Sequence, residues 1–448
     1  MLTPEEISLA RYGMDYARKA GAQKVRVTLS KSLMELTGLR NGAVEKVTHA
    51  LDRSFQVSLF VDGRFGTFSS NRLEKQALEA FLSDAVRTVR MMEADSARDL
   101  PARERIATNA LTGRELGLYD PSHAGLTPEK RRSLALESTA WGRKEALEKG
   151  FRLTSEEGEY SDSVSDTLVL DSEGLCARAL ETSFEIGYEV TVEDAEGNRY
   201  SGYWWDASPT LEALLPSLKT CAETAISRAA AQIAPRDIPG GKYTLVVESE
   251  CAGKLLTPVL NALGGYALQQ RNSFLTDTLG RKVFSSRMNL RDLPHIQGES
   301  GSRLFDSEGV ATREADIVKE GVVSAYFIST YIAAKTGLDA TVDDASRPRL
   351  LPTGDCRSLD DVLRKAGSGI LVTGFNGGNH NAATGDFSYG VEGFFFRDGR
   401  IVHPVREVLI TGNLITIWNN LETVADDARP CLSKLVPTLA FSNVDCSA

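Results

Sequence analysis

The stretch Ile238-Pro239-Gly240-Gly241-Lys242-Tyr243-Thr244-Leu245-Val246-Val247 decides how the chain divides. A proline followed by two glycines ends the regular element before it, and the apolar run from Tyr243 to Val247 then reads as a buried strand. A domain boundary is expected there. Before it, helical and strand periodicities alternate; after it, strand patterns dominate. The expectation is an α+β fold, with an N-terminal α+β domain over residues 1–237 and a β-rich C-terminal domain over residues 238–448.

On the N-terminal side, Thr3-Pro4-Glu5-Glu6 opens a helix, with Thr3 as N-cap, Pro4 at the first helical position and Glu6 closing a capping box. Gly21 is its expected stop. Val25, Val27 and Leu29 then alternate, Asn41-Gly42 marks a turn, and Phe55, Val57, Leu59 and Val61 alternate up to a second turn at Asp62-Gly63. A helix follows from Leu73 to Arg90, with Leu78, Phe81, Leu82, Ala85 and Val89 on one face. The same order of signals recurs from Thr127-Pro128-Glu129: a helix ending near Gly150, strands at Leu168–Leu170 and Phe184–Val192, a turn at Glu196-Gly197, and a helix from Thr210 to Ala231. Two similarly wired α+β units are expected, divided near residues 92–125, with the charged stretch Met92 to Arg105 as connector.

On the C-terminal side, Phe305–Val310, Ile317–Phe327 around Glu320-Gly321, Ile370–Phe375, and Gly393–Val402 around Asp398-Gly399 read as strands and turns. Two helices are expected to interrupt them. One runs from Glu250 to Gln270; the other, from Leu414 to Val424, carries a buried stripe of Ile417, Trp418, Leu421 and Val424.

The net charge of -10 opposes generic attraction to polyanions, so no direct nucleic-acid contact is expected. The start, Met1 to Glu6, has neither a basic nor an apolar leader region, and no apolar run approaches the ~20 residues of a membrane span. A cytoplasmic protein without membrane contact is expected. The six cysteines include no CxxC pair and read as free thiols.

Hydrolytic zinc needs several His, Cys or carboxylate ligands together, commonly two histidines one helical turn apart with a glutamate as base. His49, His123, His295, His380 and His403 are too scattered to supply such a pair. No G-x-S-x-G elbow or protease-type cysteine setting is present, although a triad assembled from distant residues remains open. Gly374-Phe375-Asn376-Gly377-Gly378-Asn379 reads locally as a tight turn needing positive φ, with an anion- or peptide-binding loop as the other reading. The acidic pairs Asp343-Asp344, Asp360-Asp361 and Asp426-Asp427 read as solvated loops.

That glycine-rich run continues through Thr384-Gly385-Asp386-Phe387-Ser388-Tyr389-Gly390-Val391-Glu392-Gly393-Phe394 to Gly399-Arg400-Ile401-Val402-His403-Pro404-Val405-Arg406 and Ile410-Thr411-Gly412-Asn413. It closely resembles the C-terminal signature of the TldD/PmbA family. Phe305-Asp306-Ser307-Glu308-Gly309-Val310 with Gly321-Val322-Val323, and Asp62-Gly63-Arg64-Phe65-Gly66, are similar to the family's middle and first blocks. In the metal-bearing TldD-like branch, an HExxxH helix lies early in the C-terminal domain. The matching segment here is Leu255 to Leu263, with Thr257, Pro258 and Ala262 where His, Glu and His would stand. None of the three ligates zinc, and Pro258 is expected to kink the helix or begin a new one capped by Thr257. The Thr384–Gly390 wording resembles the TldE/PmbA branch, and no ligand role is carried over to Cys431.

The resemblance implies a metal-free subunit of a TldD/TldE-type peptidase acting on unfolded or short peptides. The zinc would then belong to a TldD-like partner. Such pairs are linked to peptide maturation and antitoxin removal, and members are also known as modulators of DNA gyrase. Asn376, Gly377, Gly378, Asn379 and Asp386 are the candidate substrate-binding or interface residues, with no catalytic residue in this chain. The alternatives are a stand-alone regulatory binding protein of the gyrase-modulator or antitoxin-binding type, and an enzyme with its own unrecognised nucleophile. Closed symmetric pairs are the common outcome for soluble oligomers, so a homodimer is one state open to the isolated chain.

Overall fold

The computed structural model describes residues 1–194 and 196–447. In the N-terminal part the elements are α1 (Pro4–Lys19), β1 (Lys24–Arg40), β2 (Ala43–Val61), β3 (Arg64–Ser70), α2 (Lys75–Val89), α3 (Thr112–Glu115), α4 (Pro128–Glu148), β4 (Arg152–Asp171), β5 (Cys176–Glu193), β6 (Arg199–Ser208), α5 (Leu211–Leu214) and α6 (Ser217–Ala231). The expected capping box is present: the Thr3 hydroxyl accepts from the Glu6 N–H, and the Glu6 carboxylate accepts from the Thr3 N–H at 2.8 Å. Thr127 caps α4 through its hydroxyl alone, accepting from the Lys130 N–H at 3.3 Å. Pro216 splits the helix expected over Thr210–Ala231, because a proline supplies no N–H to the preceding turn.

The two similarly wired units share one sheet. Its order is β3-β2-β1-β4-β5-β6, so the units meet through their first strands, and β1 pairs antiparallel with β4 from Arg26↔Asp171 to Arg40↔Glu157. This pairing extends both strands well beyond their apolar runs. Polar residues at the join are compensated rather than avoided: buried Asp162 accepts from Arg131 Nε at 2.7 Å, and buried Asp166 accepts from Arg178 Nε at 2.7 Å and the Leu2 N–H at 2.8 Å. On the helical side, Val25, Val27, Leu29, Phe55, Val57 and Leu59 are buried with Leu78, Leu82 and Val89 of α2.

The remaining elements are β7 (Gly241–Val247), α7 (Ser249–Ala262), α8 (Gly265–Gln269), β8 (Leu290–Asp292), β9 (Ala315–Lys319), β10 (Val322–Val323), α9 (Thr330–Thr336), β11 (Pro348–Leu350), α10 (Leu359–Ala366), β12 (Gly369–His380), β13 (Asp386–Arg397), β14 (Arg400–Asn413), α11 (Leu414–Asn419), β15 (Leu421–Val424) and β16 (Leu439–Ser447). A six-stranded sheet runs β14-β13-β12-β7-β16-β15, and a further β14–β16 pairing closes it into a barrel. A small sheet runs β10-β9-β8-β11. By compactness, one unit comprises Met1–Ala230 with His295–Thr312 and Ala333–Leu338; the other comprises Ala231–Pro294, Arg313–Ile332 and Asp339–Ala448.

Several C-terminal expectations change. The helix expected over Glu250–Gln270 breaks at Leu263-Gly264. The one expected over Leu414–Val424 ends at Asn419, and Leu421–Val424 is a strand on β16. Both patterns bury Ile417, Trp418, Leu421 and Val424, so burial alone did not separate them. Phe305–Val310 is a turn rather than a strand, with the Asp306 carboxylate accepting from the N–H groups of Glu308 at 3.0 Å and Val310 at 2.8 Å.

Candidate functional site

The site is built where β7 hands over to α7 beside β12. The Glu248 N–H donates to the Val372 carbonyl at 3.0 Å, continuing the parallel pairing of β7 with Ile370–Val372 for one more bond before α7 begins. From Gly374 to Asn379, β12 has a strand partner only in β13 among the described residues. Its other edge is open, and Asn376 to Asn379 are exposed.

The glycine-rich run is therefore strand rather than tight turn. The register shifts between Val372 and Gly374 and again between Phe375 and Gly377, which marks two bulges. Only Gly378 of this run needs the left-handed region, at φ +91, where an added Cβ would overlap the Ser388 carbonyl oxygen. The turn proper lies beyond, where the Asn381 N–H donates to the Asp386 carbonyl at 2.8 Å.

Of the candidate residues, the hairpin brings Gly377, Gly378 and Asn379 opposite Gly390, Tyr389 and Ser388. Asp386 does not join them. It is exposed at the start of β13, where its carboxylate accepts from Asn413 Nδ2 at 2.9 Å and from the Thr384 hydroxyl at 2.7 Å. Those two hydrogen bonds hold its carboxyl below the ordinary range, and the one from Asn413 ties β13 to the end of β14.

Sequence reasoning missed Lys254. It lies one helical turn before Thr257 on α7, and its ammonium sits 5.3 Å from the centroid of the Tyr389 ring. Tyr389 Oη is 3.3 Å from His380 Nδ1, and the ring meets Phe375 edge-on at 5.7 Å and stacks on Phe387 at 5.1 Å. Burial, with Lys254 adding to it, pushes the His380 pKa down; burial pushes that of Tyr389 up. No local sequence signal marks Lys254, because its partner is more than a hundred residues away.

On α7 the helix runs through Pro258 without restarting at Thr257, contrary to the second of the two expectations. The Thr257 hydroxyl donates to the Gly253 carbonyl at 2.8 Å, the back-bond of a helical threonine. Pro258 and Ala262 are buried with Leu255, Leu256 and Val259. A hydroxyl already bonded to its own helix, an imino ring and a methyl group do not fit a hydrolytic metal ion. Among the described residues, no three His, Cys, Asp or Glu side chains converge to hold one.

Three domain families match in chain order: PmbA/TldA metallopeptidase domain 1 over residues 25–89, the central domain over 121–233 and the C-terminal domain over 240–448. Metalloprotease PmbA of Escherichia coli O157:H7 is 28% identical over 93% of this chain and 91% of its own, and the Haemophilus influenzae homologue is 28% identical over 93% and 90%. A Bacteroides thetaiotaomicron crystal structure described as a candidate modulator of DNA gyrase is 38% identical, covers 100% of both chains and superposes with a TM-score of 0.93. TldE from Thermococcus kodakarensis, 16% identical with a TM-score of 0.83 over 99% of both chains, shares the fold. These likenesses define a peptidase-family protein of α+β class. The chain belongs to the PmbA/TldD family, on its PmbA/TldE-like branch. Among the described residues, no helix is long and apolar enough to cross a membrane.

Proposed function

We propose that this chain is the non-metal subunit of a two-subunit cytoplasmic metallopeptidase acting on unfolded or short peptides, and that a TldD-like partner holds the zinc. The observation carrying this reading is the surface of α7, where Thr257, Pro258 and Ala262 provide packing and no ligand. Beside it, the open edge of β12 offers backbone donors and acceptors to an extended peptide. Such pairing fixes the register of a substrate while leaving most of its side chains unread. Asn376 to Asn379 are the contact residues in this reading, and Asp386 holds the hairpin in shape.

Purification of this chain and a TldD-like protein, separately and together, tests the reading by metal analysis and turnover of an unstructured peptide. Zinc is expected with the partner, and full activity only with both chains present. Stoichiometric zinc in this chain alone, or peptide cleavage by it alone, rejects the proposal.

The second reading is a stand-alone regulatory binding protein, favoured by the 38% identity to the candidate gyrase modulator. It gains if adding this chain leaves turnover by the TldD-like protein unchanged.

A further inference from the structure

The N-terminal sheet has an open edge of a different kind. β2 pairs with β1 from Ala43 to Phe60 with one bulge, at Glu45, but β3 covers only Phe55 to Val61, so Ala43 to Ser54 form a long edge without an outer partner among the described residues. Natural proteins protect such edges with bulges, prolines or charges, since an open ladder recruits another strand; here the one bulge lies near the end of the edge, and Lys46 to Ser54 are regular strand. Here Val47 is 69% exposed and Leu51 60% exposed, two large apolar side chains on one face of an uncovered edge strand.

The charges along this edge are self-complementary about one point. When His49 is taken as a two-fold centre, an antiparallel second copy of the strand sets Lys46 opposite Asp52 and Val47 opposite Leu51, and brings Glu45, at the bulge, to the level of Arg53. Thr48 then faces Ala50, and His49 faces its own copy. Shifting the centre to Thr48 or Ala50 destroys the match, setting Lys46 against Ala50 or against Ser54. Within the chain, Glu45 is 3.3 Å from Arg40, Arg53 is 3.6 Å from Glu6, and His49 Nδ1 is 2.7 Å from Glu35. Lys46 and Asp52 have no ion-pair partner among the described residues.

We propose that β2 pairs edge to edge with β2 of a second copy of this chain, with the two-fold axis at His49, joining two six-stranded sheets into one. The contact is isologous, so each favourable pair occurs twice and the assembly closes as a dimer. Opposite charges and apolar pairs directly across strands stabilise the chosen register, whereas like charges oppose it. This contact is independent of the peptidase reading.

The test is the association state of the full chain by sedimentation over a range of concentrations. The wild-type chain is expected to dimerise, and Lys46→Asp and Asp52→Lys are each expected to weaken the dimer at least about tenfold. The double reversal and an equimolar mixture of the two single variants both restore the complementary pairs, and both are expected to recover dimerisation. His49→Cys is expected to give a reducible cross-linked dimer, since opposed residues have Cα atoms about 4.5–5.5 Å apart. A wild-type monomer at every concentration overturns the proposal. So does a dimer indifferent to the single reversals, or double and mixed variants that are folded by circular dichroism yet stay apart. If Lys46→Asp abolishes pairing with a TldD-like protein while the wild-type chain alone is monomeric, the edge belongs to that partner and the self-pairing is overturned.

Discussion

The two open strand edges, Ala43–Ser54 of β2 and Gly374–Asn379 of β12, solve opposite problems. β2 carries alternating charges and exposed aliphatic side chains, so a partner strand meets a side-chain pattern that distinguishes one register from its neighbours. β12 carries glycines and asparagines interrupted by two bulges, so a partner meets mostly backbone. As proposed, the first edge takes one fixed partner and the second takes many different peptides. Selectivity in a strand pairing comes from side chains, and tolerance comes from their removal.

Substituting a bulky residue at the tolerant edge should give the largest effect. Gly378→Val forces a β-branched residue to φ +91 and drives its Cβ into the Ser388 carbonyl oxygen. Strain and overpacking together are expected to cost about 3 kcal/mol. Denaturant unfolding should show the loss, and peptide turnover with the TldD-like partner should fall with it. Unchanged stability, pairing and turnover would remove the hairpin from the site.

A smaller effect is expected at Asp386, which shapes the hairpin without touching its open edge. Hydrogen bonds from Asn413 and Thr384 depress its folded pKa, so the stabilisation is full above the unfolded pKa and is lost as pH falls through the folded value. That window lies below about pH 4. The protection of hairpin amides against hydrogen exchange, taken relative to the intrinsic rate at each pH, should therefore fall on acidification in the wild-type chain more than it does in Asp386→Asn. Equal pH dependence in the two proteins would show that the carboxylate does not hold β13.

The legibility of these regions in the sequence follows from how local their causes are. Asn41-Gly42, Asp62-Gly63, Glu320-Gly321 and Asp398-Gly399 all adopt positive φ as their turn chemistry requires, and Thr3 and Thr127 cap their helices. The lengths of β1 and β4 were not legible, because Ser30–Thr37 and Glu156–Thr167 are largely polar and become strand through each other. At the candidate site, α7 was readable from Leu255, Leu256 and Val259. The open edge of β12 was not, since it depends on where β7 stops. Lys254 was invisible for the same reason: its place over Tyr389 comes from tertiary packing.

The smallest effect comes from one substitution made in two strands. Val47→Thr on β2 alters a side chain that is 69% exposed and has no outer strand beside it, so monomer stability should change by less than about 0.5 kcal/mol. Val391→Thr on β13 replaces a methyl of a residue that is 1% exposed with a hydroxyl, at an expected cost of about 1–3 kcal/mol. Denaturant unfolding at concentrations low enough to keep the chain monomeric separates these two numbers. At higher concentration the order of interest changes, because Val47→Thr removes an apolar pair from each side of the proposed two-fold and should weaken self-association severalfold. A Val47→Thr protein that is as dimeric as the wild type would leave the exposed valine without a role in pairing. One that is strongly destabilised as a monomer would mean that the β2 edge is already covered within the chain.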